Sequence, residues 1–411
     1  MDDLIKQLPE MKTGNDLISA LSVLPNYEDT IRYQNQAARL IALSDLYKIY
    51  VPSPMSTEIY SKLYLALLRS IQKKMTKAAI QQRNQNHNAI IQQDYNGILG
   101  GSDSFTIIGT SGIGKSSAIN RSIELLCQNG VIETNKPYTK IIPCLVVQCP
   151  FDSSVKGLLL EILRKVDESI GSDYYTKALK IRVTTDMLIG SVSQVSINHI
   201  GLLVVDEIQN VANSKNGKSL VGMLTQLINN SGISICMVGT PESTVFFEQA
   251  IQLARRSLGL QYYRLEYNQY FYDFCCTLFS YQYTSNKTEI TDSIIRWLYE
   301  HSDGIISIVV SLIHDAQEVA ILNGSEMLNL EALNEAYKKR MTMLHGYISE
   351  STKRKPQTTA KRTNKPALPN KQREDVNNKN CIYEIIAAAK NNKLNVAAAL
   401  KEHITIEEVQ I

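Results

Sequence analysis

At 411 residues, 44% of them hydrophobic, the chain exceeds one ordinary domain and has ample material for buried cores. Two or three globular modules are therefore expected, and a small stapled scaffold is excluded. Forty-three basic against 40 acidic side chains leave +3, a balance that by itself predicts neither a nucleic-acid binder nor a membrane-surface protein, so any basic patch must be local.

Seven cysteines form an odd set with no Cys-x-x-Cys pair, and several sit in apolar runs as reduced core thiols do, which fits a cytoplasmic location. The six histidines show no metal spacing. The start, Met-Asp-Asp-Leu-Ile-Lys, lacks a basic-then-apolar signal, and no uninterrupted apolar run reaches about 18 residues, so neither export nor a membrane span is expected.

Residues 1–100 read as a helical segment. Tyr33–Tyr50 and Glu58–Ala79 carry apolar residues at spacings of three and four, separated by the Pro52-Ser-Pro54 breaker, with Ser56 and Thr57 as caps for a helix from Glu58. The Gln- and Asn-rich stretch 81–96 is either a surface helix or a connector. From Ser104 the pattern becomes short apolar strands alternating with helices, the signature of a parallel sheet covered on both faces. The strand candidates are Phe105–Ile108, Ile141–Gln148, Ile200–Val205, Ile233–Val238 and Tyr262–Leu265. The helices expected between and after them are Lys115–Asn129, Val155–Ile170, Thr184–Ser196, Leu220–Asn230 and Thr244–Ala254. This makes 101–266 an α/β nucleotide-binding domain with a five-stranded parallel sheet. Helical periodicity in Asp292–His301, Ile305–Asn323 and Leu330–Met343 makes 267–348 a helical lid. Residues 351–373 hold eight Lys or Arg, no acid and three prolines, so 349–380 reads as a flexible basic linker. Two short helical patterns make 381–411 a docking tail.

The chemistry starts at Gly109, Thr110, Ser111, Gly112, Ile113, Gly114, Lys115 and Ser116, which match G-x-x-x-x-G-K-[ST] with a strand before and a helix after. Glycines let backbone N–H groups converge on phosphate oxygens, and the helix N-terminus, continuing through Ser117, adds positive potential. Lys115 is then placed to reach the β- and γ-phosphates of ATP, and Ser116 to ligate Mg²⁺. Leu202-Leu-Val-Val-Asp206-Glu207 is an apolar strand ending in paired carboxylates. With the phosphate loop upstream, Asp206 reads as a second Mg²⁺ contact and Glu207 as the group that polarises the attacking water. Thr240 ends the next buried strand. It either senses the γ-phosphate or caps the helix that Pro241 and Glu242 begin. Arg255 and Arg256 are either an arginine finger for a neighbouring subunit's ATP or a solvated helix end.

The order of phosphate loop, Asp-Glu strand, Gly-Thr-Pro strand end, Arg-Arg and helical lid is similar to the AAA+ P-loop NTPases, and more narrowly to the TnsC and TniB group of transposition regulators. The likeness rests on Asp206-Glu-Ile-Gln-Asn210, Val238-Gly-Thr-Pro-Glu242, Ala254-Arg-Arg-Ser-Leu-Gly259, Leu278-Phe-Ser-Tyr-Gln-Tyr283, Ser302-Asp-Gly-Ile-Ile306 and Asp315-Ala-Gln-Glu-Val-Ala-Ile321. It covers roughly residues 25–345. It implies a bacterial ATPase that oligomerises head to tail on double-stranded DNA, as a ring or filament, and links a target-selection protein to a transposase and its associated nuclease. Hydrolysis would then disassemble the polymer. The resemblance favours γ-phosphate sensing by Thr240 and the finger role for Arg255 and Arg256. One departure stands out: where many AAA+ lids carry an arginine after Gly-x-x, Gly304-Ile-Ile-Ser307 offers serine. Candidate DNA contacts are Lys156, Lys177, Lys180 and Arg182, for each of which a solvated surface cation is the ordinary alternative. A nucleotide-switch NTPase of signalling or defence, and a replication-initiation or helicase-loader AAA+ protein, are the competing classes. The first expects an appended effector and the second a winged-helix domain.

Overall fold

The computed structural model describes residues 4–74, 104–135, 138–180, 184–213, 217–231, 233–244 and 259–340. The expected Gln/Asn stretch, the helix Thr244–Ala254, Arg182, Arg255, Arg256, the linker and the tail lie outside them. The chain divides into two units, 1–353 and 354–411, and the described residues all belong to the first.

The N-terminal segment is not one body. Helix α1 (Gly14–Leu21) and the long α3 (Pro54–Lys74) pack on the sheet, whereas the intervening chain, with α2 (Gln36–Ala42), joins the lid core through Leu43, Leu46 and Ile49. The single helix expected over Tyr33–Tyr50 is broken into a 3₁₀ turn at Asp29–Tyr33, α2, and a second 3₁₀ stretch at Leu43–Lys48. The reason is visible in the spacing. Leu43, Leu46 and Ile49 recur strictly every third residue, and only a three-residue turn stacks all three on one face. Helix α3 likewise begins before Glu58. Pro54 supplies its first position, where the missing N–H costs nothing, while Ser56 N donates to Ser53 Oγ (3.3 Å) and Ser53 N to Ser56 Oγ (3.0 Å), a reciprocal cap.

The sheet has six strands, not five: β1 (Phe105–Gly109), β2 (Ile132–Asn135), β3 (Tyr138–Gln148), β4 (Ile200–Asp206), β5 (Ser234–Gly239) and β6 (Leu260–Tyr262), in the order β2-β3-β4-β5-β1-β6. All neighbours run parallel except β2, which pairs antiparallel with β3. The extra strand escaped sequence reading because Ile132 is its one apolar residue. It is an edge strand, and the Gln7 carboxamide covers it, donating to Glu133 O and accepting from Glu133 N, both at 3.0 Å. The last strand also lies upstream of the expected Tyr262–Leu265. Beyond Tyr262 the backbone leaves the sheet, and Leu265 N donates to Gly304 O (3.2 Å) in the lid instead.

Alternation along each strand divides the core. Leu203, Val205, Ile235 and Met237 face α5 (Val155–Ile170), α7 (Thr185–His199) and α9 (Gly217–Ser231). Leu202, Val204, Cys236 and Val238 face α1, α3 and α4 (Lys115–Leu126). With both faces covered, a strand has no polar side, which is why these runs are continuously apolar. Short α6 (Tyr174–Lys180) and α8 (Asn210–Asn213) complete this layer.

The lid holds four helices among the described residues: α10 (Gln269–Ser280), α11 (Asp292–Ser302), α12 (Ile306–Asn323) and α13 (Leu330–Arg340). Helix α10 was absent from the expected set, although Asn268 caps it by accepting from Phe271 N (3.1 Å) and Phe271, Phe274, Cys275 and Leu278 form its buried stripe. Arg39 of α2 fastens the N-terminal segment to this lid. It donates to both Glu326 carboxylate oxygens, at 2.5 and 2.7 Å, and to Tyr283 O at 3.1 Å. The guanidinium holds the Glu326 carboxyl below its ordinary range, and Glu326 in turn raises Arg39. Arg39→Ala leaves a half-buried carboxylate with the Ser285 N–H (3.0 Å) as its remaining donor, so a stability loss of about 1–3 kcal/mol is expected. The check is a lowered urea midpoint with unchanged slope; a shift within ordinary surface scatter would show the pair to be dispensable.

Candidate functional site

Five parallel strands end on one side of the sheet, and the ends of three of them, β1, β4 and β5, carry the phosphate loop, Asp206-Glu207 and Thr240. Because β5 lies between β1 and β4, Thr240 at its carboxyl end stands between the phosphate loop and Asp206-Glu207. A cavity of about 430 Å³ opens there. Ser111 to Ser117, Asp206, Glu207 and Thr240 all line it.

The loop's shape is set by glycine at two places. Gly112 and Gly114 have φ of +81° and +94°, a region where a side chain is strained. At Gly112 space is also closed, since an added Cβ would lie 2.8 Å from Ile305 Cγ2 and closer still to Ser307 Oγ. Lys115, the first residue of α4, is buried at 8% exposure, and its Nζ donates to Gly109 O (2.6 Å) and Thr110 O (2.8 Å). Burial lowers its pKa below the ordinary 10.5, and the nearby Asp206, Glu207 and Glu242 carboxylates pull the other way. This is an ammonium already stripped of water and held on two weak acceptors, ready to be taken over by an anion.

That shift predicts a pH dependence. Free Lys115 loses its proton at lower pH than an ordinary lysine, whereas an anionic ligand favours the protonated form. Affinity for a phosphate-bearing ligand should therefore decline with rising pH from below 10.5 upward, with proton uptake on binding. Titration calorimetry in two buffers of different ionisation heat reads the uptake; affinity that does not change through this range would contradict it.

Opposite the loop, Glu207 N donates to Asp206 Oδ1 (2.8 Å), which leaves Oδ2 facing Ser116 Oγ at 3.4 Å. Two hard oxygen ligands at that spacing suit a divalent cation of the Mg²⁺ kind, so the donor set fits the ion. Glu207 is exposed and has φ +59°, a left-handed conformation that turns the chain sharply after β4 and lets the carboxylate stand in the cavity. Thr240 precedes a 3₁₀ turn, Pro241–Ser243, but its side chain makes no capping bond. The turn is closed through Thr240 O, which accepts from Ser243 N (3.0 Å) and Ser243 Oγ (2.6 Å). The hydroxyl is thereby free of the capping role that competed with sensing.

Several wall residues had no role in the sequence reading. Ile49, Tyr50 and Val51 of the N-terminal segment line the cavity together with Tyr270, Phe274 and Val310 of the lid, and Tyr270 Oη donates to Val51 O (2.9 Å). They form a half-apolar wall suited to a flat heterocycle. Ser307, noted only as standing where an arginine is common, donates its backbone N–H to Gly112 O (3.0 Å) and so ties the start of α12 to the phosphate loop. Nothing local in the sequence signals these contacts, because they join segments far apart in the chain.

Of the DNA candidates, Lys156 is exposed on the first turn of α5, and Lys177 on α6 is paired with Asp173 (2.8 Å). Lys180 ends α6. His314, Asp315 and Glu318 present ligand atoms within 4.8 Å of one another on α12, but Arg340 pairs with both carboxylates and takes the place of a cation.

Residues 101–264 match the family model of the bacterial TniB protein. Over that segment the chain is similar to the TniB family. The TniB-type segment spans the whole loop-to-β6 nucleotide site described above, and with the strand order it makes the fold that of an AAA+ P-loop NTPase. No curated protein matches the chain. Similar solved structures include the Aeropyrum pernix ORC1 protein in complex with DNA, 14% identical with a TM-score of 0.42, covering 82% of this chain and 80% of that one. Drosophila ORC bound to DNA is 11% identical with a TM-score of 0.42, over 96% and 82%. The Aeropyrum pernix ORC2 protein in ADPNP–ADP complexes is 14% identical with a TM-score of 0.40, over 65% and 68%.

Proposed function

We propose that this chain is an ATP-hydrolysing regulator of DNA transposition, working in the bacterial cytoplasm. It assembles head to tail on double-stranded DNA, links a target-selection protein to the transposase and its associated nuclease, and is released on hydrolysis. The observation that carries the reading is the TniB-type segment whose Lys115, Ser116, Asp206, Glu207 and Thr240 converge on one cavity.

The chemistry follows from that convergence. Lys115 exchanges the Gly109 and Thr110 carbonyls for β- and γ-phosphate oxygens, and the N–H groups of Gly112 to Ser117 close around them. Ser116 and Asp206 would hold Mg²⁺, which would supply positive charge to the phosphate oxygens. Glu207 polarises a water toward the γ-phosphorus; the bond to the β,γ-bridging oxygen breaks, and Thr240 hydrogen-bonds the transferred group. Arg255 and Arg256 reach a neighbouring subunit's ATP, which makes nucleotide the glue of the polymer. Lys156, Lys177, Lys180 and Arg182 contact DNA phosphates, the 349–380 linker adds non-specific affinity, and the 381–411 tail docks the transposase machinery.

The experiment is assembly on duplex DNA with a non-hydrolysable ATP analogue, viewed by electron microscopy and sedimentation. Rings or filaments that need both DNA and nucleotide are expected. A chain that stays monomeric in that mixture would sink the proposal.

A further inference from the structure

Gln209, two residues beyond the carboxylate that polarises water, has no part in the chemistry above, yet it is placed to govern that carboxylate. Its Nε2 donates to Glu207 Oε2. A carboxylate only accepts, so the NH₂ must face Glu207, and this fixes the other end of the amide: Oε1 points away. That oxygen is buried and has no hydrogen-bond partner. It lies against the end of β5, where a Cβ on Gly239 would stand 3.1 Å from Oε1 and 2.7 Å from Ile208 Cγ2. Ile208 N donates to Val238 O (2.9 Å), and Asn210 N donates back to Glu207 O (3.0 Å), so the turn carrying Gln209 is sewn to the strand that delivers Thr240.

We infer that Gln209 is the positioning residue for Glu207: one carboxamide, clamped between the Glu207 carboxylate and the Gly239-Thr240 strand end, sets where that carboxylate points over the phosphate loop. The inference rests on the hydrolytic reading of the site and adds a residue to it. Two features make the clamp more than packing. Glu207 has left-handed backbone and an exposed side chain, so without a partner its carboxylate would sample many rotamers. A buried acceptor without a donor is also an unfavourable state for an amide, one that an apolar side chain of the same size would avoid. The amide is thus held by its polar bond to Glu207 and not by shape alone. Through the same group, a shift of the Thr240 strand end on phosphate binding is passed to Glu207.

Gln209→Met keeps the length and removes the donor, which separates positioning from space-filling. The expected result is a kcat for ATP hydrolysis lowered by about ten- to a hundredfold, with KM and nucleotide affinity close to wild type and an unchanged melting temperature. In a Glu207→Gln background the same substitution should lower hydrolysis no further, since the group it positions is gone. Wild-type kcat in Gln209→Met would overturn the inference in favour of packing. Loss of ATP binding would overturn it in favour of a role in building the pocket. If the wild type itself binds ATP without hydrolysing it, the hydrolytic reading fails and takes this inference with it, an outcome distinct from the other two.

Discussion

Lys115→Ala should abolish ATP binding and, with it, every nucleotide-dependent assembly, while leaving the free protein as stable as before. The first half follows from charge. The substitution removes the one ammonium buried in the loop, and losing a desolvated charge-assisted contact to phosphate costs about 2–5 kcal/mol of affinity. The second half follows from burial. In the free protein Lys115 pays for its desolvation, as its lowered pKa records, and receives only the Gly109 and Thr110 carbonyls in exchange. Deleting it removes a cost along with two hydrogen bonds, so the net change in the melting temperature without ligand is small. The measurement is a pair of melting curves. The wild type should gain stability with added ATP and Mg²⁺, the variant should gain none, and the two should coincide without ligand. A variant that still gains stability with ATP would show that the backbone cradle alone binds phosphate.

The parts of this site legible in the sequence are those whose chemistry is local. A glycine loop ending in Lys-Ser encodes its own geometry in eight residues, and Gly112 and Gly114 have the positive φ the motif requires. The Asp206-Glu207 strand end was legible because a strand buried on both faces is apolar throughout, so the first charges mark where it stops. What was not legible depends on partners distant in the chain. Tyr27 Oη donates to Gln282 O (2.6 Å) and Arg39 reaches Glu326, contacts that fold the N-terminal segment onto the lid and bring Ile49 and Val51 to the cavity wall. Periodicity reported that this segment had a buried face but not what covers it. Ser307 is the sharpest case. Its side-chain identity says only that the arginine common at this place is missing, whereas the contact to Gly112 O runs through its backbone N–H, which residue type cannot reveal.

Glu207→Gln separates binding from hydrolysis, and its expected phenotype is the opposite of that of Lys115→Ala: ATP retained, assembled complexes trapped. The carboxamide has nearly the volume of the carboxylate, so the cavity keeps its shape. Asp206 keeps the bond from the backbone N–H of residue 207, which leaves Oδ2 turned toward Ser116. The phosphate grip is therefore intact. What is lost is the proton acceptor for the attacking water, a contribution of about 10²- to 10⁴-fold in rate. If ATP holds subunits together and its hydrolysis releases them, complexes formed by the variant on DNA should outlast wild-type ones by a similar factor. Single-turnover hydrolysis and dissociation of labelled DNA complexes, read on the same preparation, make the comparison. Equal loss of ATP binding in Lys115→Ala and Glu207→Gln would refute the division of roles, because Glu207 would then belong to the grip. Slow hydrolysis with rapid disassembly would refute the other half and show that the polymer falls apart without spending its nucleotide.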